Sequence, residues 1–108
     1  MQVIVPPVSD LVAFQTTFTG TLVYWRGPSP FHFIPVPPPQ AAEIGFLAPA
    51  VTYGWGVIPV RVRVGRTDFT TSLFPKDGGY LVPVKDAVRR AEGLSVGDVV
   101  RVQLAIGR

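Results

Sequence analysis

Twelve prolines and eleven glycines in 108 residues interrupt this chain so often that few stretches can run far in one conformation. Proline removes a backbone donor and glycine loosens the backbone, so long helices are excluded and many short strands are expected. A chain of this length makes one domain, residues 1–108, with a single core that buries about two-thirds of the surface its unfolded form exposes. Residues 1–13 read as an N-terminal extension, 14–64 as a first unit and 65–108 as a second.

The segments between the breaks carry strand chemistry. "FQTTFTGTLVYW" (14–25) is rich in Thr, aromatic and branched residues, with Phe14, Phe18, Leu22 and Tyr24 on one parity. "FHFIPV" (31–36) continues after a turn at "RGPSP", and Pro35 predicts an edge or a strand end, because it cannot donate to a ladder. "PPPQAAEIG" (37–45) allows one or two helical turns over Gln40–Ile44, stopped by Gly45, before an apolar loop at 46–55. In "GVIPVRVRV" (56–64), Val60, Val62 and Val64 point one way and Arg61 and Arg63 the other. The dipeptide "GR" (65–66) predicts a hairpin turn into "TDFTTSLF" (67–74).

"PKDGG" (75–79) has a lysine, an aspartate and two glycines, but strand residues flank it on both sides. A phosphate cradle needs its glycines to open a helix. This loop is therefore a hairpin bend, with a positive φ expected at Gly78 or Gly79 and with Lys76 and Asp77 at the tip. One short helix follows in "VKDAVRRAEGL" (84–94), where Val84, Ala87, Val88 and Ala91 recur along one face. Asp86 opens it, Arg89 and Arg90 close it, and Gly93 supplies a left-handed cap. The final strand is "VVRVQLAI" (99–106).

The two halves echo each other. "FTGTL" (18–22) resembles "FTTSL" (69–73), "FIPV" (33–36) resembles "LVPV" (81–84), "AAEIG" parallels "RRAEG", and each half ends on a glycine followed by an alternating Val/Arg strand. The spacing falls from 51 residues at the first pair to 41 at these glycines. The expected fold is all-β with one short helix: a closed six-stranded barrel built from two pseudo-symmetric strand-strand-helix-strand units. Its interior would hold Phe18, Leu22, Val60, Val62, Phe69, Leu73, Val100, Val102 and Leu104.

The segment "FTTSLFPKDGGYLVPVKDAVRRAEGLSVGDVVRVQL" (69–104) resembles the bacterial domain-of-unknown-function family 1905 at Ser72, Leu73, Pro75, Gly79, Tyr80, Pro83, Val84, Gly97 and Asp98. The first half, through Trp25 and Pro35, fits more loosely, with "RGPSP" and the N-terminal residues as departures. The resemblance implies a six-stranded barrel related to the double-split barrels of transition-state regulators and antitoxins. It implies no reaction, cofactor or ligand.

Catalytic parts are sparse in the sequence. With no cysteine there is no disulfide, thiolate metal site or thiol nucleophile, and one histidine, His32, cannot complete a usual zinc site. Ser72 lacks the strand-to-helix elbow of a serine nucleophile, and Asp86 and Glu92 are not spaced to share a helix face. These features predict a non-enzymatic binding or accessory module without a cofactor or metal.

Its partner would be an unknown small molecule or protein held by Trp25, His32, Tyr53 and Trp55, aromatics in or beside Pro/Gly-rich loops. The alternative is nucleic acid held by Arg61, Arg63, Arg66 and Arg101, where four phosphate contacts would give a salt slope of about −3 to −4. Ten Lys/Arg against seven Asp/Glu give a net charge of +3, which decides little between them. The N-terminus has no basic leader and no segment approaches the apolar length of a membrane span, so a cytoplasmic, membrane-free protein is expected. A barrel that closes on itself needs no second chain; a monomer is the default, with a weak dimer conceivable at the Pro35 edge.

Overall fold

The computed structural model describes residues 12–26, 30–51 and 57–107. Alternating apolar and polar residues build seven strands: β1 (Val12–Thr21), β2 (Val23–Arg26), β3 (Pro30–Pro35), β4 (Ile58–Val64), β5 (Thr67–Lys76), β6 (Gly79–Val84) and β7 (Val99–Gly107). Helix α1 (Pro38–Val51) follows β3 and helix α2 (Asp86–Glu92) follows β6. All strand pairs are antiparallel, in the order β1-β7-β4-β5-β6-β3-β2.

This is a curled, open sheet of a half-barrel kind, and the expected closed six-stranded barrel is corrected accordingly. The first strand breaks at Leu22 into β1 and β2, and these two pieces form the opposite ends of the strand order. The chain itself, through one residue, joins the two edges of the sheet. Leu22 is nonetheless 0% exposed. Its N–H donates to the Asp98 carbonyl at 2.9 Å, and the Gly97 N–H donates to the Leu22 carbonyl at 2.8 Å. The Gly-Asp pair that precedes β7 thus satisfies both backbone groups of a buried residue that belongs to no strand.

The strand registers of the two halves correspond. Phe18 pairs with Val102 as Phe69 pairs with Val62, and Val23 pairs with Phe33 as Phe74 pairs with Leu81. The Leu22–Asp98 bonding matches the Leu73–Ile58 pair. These pairs set the offset between the last strands at 40 residues, correcting the 41 read from the glycines. A one-residue slip would have matched Val60 with Arg101 and turned every side chain to the wrong face.

Five prolines lie within strands: Pro30 opens β3 opposite Arg26, and the other four also occupy stretches laddered on one side only. Pro35 pairs with Leu81 beyond the reach of β2, Pro83 with Phe33 beyond β5, Pro59 with Ser72 past the last β4–β7 pair at Val60 and Ile106, and Pro75 with Tyr80 beyond β4. The missing N–H therefore costs no ladder bond. Pro35 does not mark an edge strand, because β3 lies between β2 and β6. It marks a strand end.

Two helices replace the single one expected. Helix α1 runs 14 residues through Gly45 and the supposed loop at 46–51. Pro38 and Pro39 sit in its first turn, where their missing donors are unneeded, and Ala41, Ile44 and Ala48 pack on the core. Pro49 forfeits one bond near the last turn. In α2 the corresponding Gly93 adopts φ 63° and caps the helix, with the Leu94 N–H bonded to the Arg89 carbonyl. The sequence beyond each glycine makes the difference: Phe46-Leu47-Ala48 can continue a helix, whereas Ser95-Val96-Gly97-Asp98 turns, with Asp98 Oδ2 accepting the Ser95 N–H at 2.8 Å. In α2 only Val88 is buried, while Ala87 and Ala91 are exposed, so its apolar face is narrower than the periodicity suggests.

The core gathers Phe18, Leu22, Ile34, Ile44, Ile58, Leu73, Val82, Val102 and Ile106 among others. The expected interior residues all contribute, with Phe69 only partly buried at its margin. Both hairpin turns form as expected. Gly65 takes φ 58°, and at the tip of β5–β6 Asp77 and Gly78 take φ 52° and 79°; Gly79 lies in β6 instead. Among the described residues no helix is long and apolar enough to cross a membrane.

Candidate functional site

Alternation along β5 decides which side chains share a surface. Phe69, Thr71 and Leu73 turn inward, whereas Asp68, Thr70, Ser72, Phe74 and Lys76 turn outward. On neighbouring β4 the outward residues are Arg61, opposite Thr70, and Arg63, opposite Asp68. On β7 they are Arg101, Gln103 and Ala105, with Gln103 opposite Arg63. One side of the sheet therefore carries the arginines at one end and, about 13 Å further along β5, Phe74 and Lys76.

The arginine end is an open groove of about 800 Å³ lined by Gln15, Thr17, Arg61, Arg63, Thr70 and Gln103. Arg63 Nη1 pairs with Asp68 Oδ2 at 3.1 Å on an exposed surface, so its charge is largely offset locally while the pair adds little stability. Arg61 and Arg101 are exposed, with no acidic partner at ion-pair distance among the described residues. Arg66 lies in the β4–β5 turn, where its backbone N–H donates to Glu92 Oε2 at 3.2 Å. The same carboxylate accepts from the Thr67 hydroxyl, tying α2 to the hairpin. Three of the four expected arginines thus share the sheet face, and the fourth sits at its rim.

At the other end, Trp25 of β2 meets Phe33 of β3 and Phe74 of β5, with ring centroids 5.8 and 6.1 Å away. In a flat sheet β2 and β5 would be about 14 Å apart, being three strands removed. The rings bridge that gap by leaning together on the side of the sheet away from the core, with Phe33 between the other two. Phe33 forms a buried floor, while Trp25 and Phe74 are 37% and 40% exposed. Lys76 Nζ lies 4.4 Å from the centroid of the Trp25 ring, a cation–π contact that holds an ammonium at the rim of the cluster.

His32 stands apart from Trp25. It pairs with Tyr24 across the β2–β3 ladder, and the two rings meet edge-to-face at 5.1 Å, with His32 half-buried. Strand alternation turns both away from the Trp25 side. The expected aromatic set is therefore divided: Trp25 lies on the face away from the core, His32 on the core-facing side, and Tyr53 and Trp55 fall outside the described residues. Phe74 and Lys76 were missed in the sequence because "SLFPK" reads as an ordinary strand end. The signal was present in the out-facing parity of Phe74 with Thr70.

Among the described residues, no three His, Asp or Glu side chains gather in a metal-ligand cluster. What this surface offers is partly exposed apolar rings with Lys76 at their rim, its ammonium 3.9 Å from Asp77 Oδ2, and exposed Arg61 and Arg101 further along the same face. A family model, Domain of unknown function (DUF1905), matches residues 18–104, from the middle of β1 to the middle of β7. No curated protein matches the chain.

Proposed function

This chain belongs to the family described as Domain of unknown function (DUF1905), and we propose that it works as a non-enzymatic binding module whose contact surface is the outward sheet face around Trp25 and Phe74. The observation that carries this reading is the partly exposed aromatic pair seated on buried Phe33, with Lys76 at its rim. Rings already held by their neighbours lose little freedom when a partner stacks on them, so contact there is gained at low entropic cost. The chemistry that fits is a planar apolar group bearing a negative charge, on a small molecule or on a protein.

The test is a titration of the whole chain with naphthoate. Binding that is lost in Trp25→Ala and weakened in Lys76→Gln supports the reading. Binding that ignores both substitutions refutes it.

A second reading takes single-stranded nucleic acid as that planar, anionic partner. Its support is the shared face, which sets Arg61 and Arg101 on the same side of the sheet as Phe74. Stacking on two rings with about three phosphates neutralised gives a salt slope of about −2 for a single strand. An oligothymidylate titration that loses affinity in both Arg61→Gln and Trp25→Ala supports this version. Absence of binding even at low salt rejects it, and the naphthoate result then stands on its own.

A further inference from the structure

Helix α1 is apolar on two sides. Ala41, Ile44 and Ala48 face the core. Ala42, Gly45, Phe46 and Pro49, spaced i, i+3, i+4 and i+7, lie together on the exposed side, and Phe46 is 86% exposed. A surface helix ordinarily turns polar residues to water, and Glu43 is the single charge in the 14 residues of α1. The residue on α2 that corresponds to Ala42, 48 positions on, is Arg90, an exposed side chain beside Asp86. The same architectural position is solubilised in one half of the molecule and left apolar in the other.

We propose that this stripe is a self-association surface, occupied by α1 of a second copy of this chain packed antiparallel about a two-fold axis. Three features select that occupant. The stripe is its own complement: Phe46 is the projecting ring, and Gly45, whose added Cβ would meet nothing within 4 Å, is the hollow beside it. In an isologous pair each Phe46 faces the partner's Gly45 and Ala42. The stripe also carries no charge, so two molecules of net charge +3 meet there without like-charge opposition. Finally, α1 has no acidic residue in its first turn and no basic residue in its last, which leaves both dipole ends uncompensated. An antiparallel neighbour brings the opposite end to each.

The expectation of a monomer rested on a barrel that closes by itself; it gave no account of an apolar outer face on α1. A four-residue stripe falls well short of the roughly 1,600 Å² of a standard interface, so the dimer is weak and concentration-dependent.

The test is sedimentation equilibrium of the intact chain from about 10 µM to about 1 mM, a range that brackets weak association. Wild type should move reversibly from monomer toward dimer. Phe46→Glu and, separately, Gly45→Arg should raise the dissociation constant about thirtyfold or more while leaving the circular dichroism unchanged. Gly45→Arg adds a better helix former in open space, so its effect is not one of misfolding. Four outcomes overturn the proposal: a wild-type monomer throughout; a dimer that survives both variants; a monomer destabilised by Phe46→Glu, which would mean that the chain covers its own stripe; or a monomer that floats with phosphatidylglycerol vesicles through Phe46.

Discussion

Leu22 and Leu73 stand 51 residues apart, one between two strands and the other inside β5, and both are 0% exposed. If the halves are structural counterparts, truncating either to alanine removes the same burial from the same kind of place. Three carbons at about 0.8 kcal/mol each give about 2.4 kcal/mol of transfer free energy. A residual cavity raises the total to about 3–4 kcal/mol. For 108 residues the entropy of unfolding is about 0.23 kcal/mol/K, so either substitution should lower the melting temperature by about 13–17 °C. Urea unfolding followed by circular dichroism, with calorimetry alongside, measures both. The two costs should agree within about 1 kcal/mol, a spread set by local relaxation. A Leu22→Ala cost below about 1 kcal/mol beside a full cost at Leu73 would refute the correspondence, because Leu22 would then behave as an ordinary loop residue.

Other expectations follow from single contacts. A Cβ on Gly20 would lie 2.5 Å from Ile34 Cγ2 and 2.8 Å from the Pro35 carbonyl oxygen, so Gly20→Ala should destabilise by about 1–3 kcal/mol in a urea titration. Gly78→Ala, at φ 79°, should cost about 1–2 kcal/mol, while Asp77→Asn should hold or raise stability because Asn-Gly suits this turn. In a Trp55→Phe background, Trp25 should emit at intermediate wavelength and be quenched by acrylamide. Blue-shifted, unquenched emission would mean that the ring is a plug and not a platform.

Strand content was legible wherever alternation was clean. Arg61 and Arg63 against Val60, Val62 and Val64 placed β4 and its outward face, and Gly93 placed the end of α2. The open sheet was not legible, since the break at Leu22 depends on hydrogen bonds to Gly97 and Asp98, which lie 75 and 76 residues downstream. Helix α1 was hidden by its punctuation. Proline in a first turn and glycine at an exposed site cost little once Ala41, Ile44 and Ala48 pack, so tertiary burial overrode propensity. Of the candidate residues, the sequence could name Trp25 and the arginines but could not bring Phe74 and Lys76 to them. That depends on the long-range strand order β5-β6-β3-β2, across which rings from strands three apart come to 6.1 Å from each other.

A binding surface centred on the Trp25–Phe33–Phe74 cluster is the central claim, and the most direct measurement is a nitrogen–proton correlation spectrum of the intact chain titrated with naphthoate. Amide shifts concentrated on β2, on the β3 residues around Phe33 and on the β5–β6 hairpin, and abolished in Trp25→Ala, are the predicted result. Shifts scattered over the sheet, or gathered around α1 and absent from β2, would contradict it.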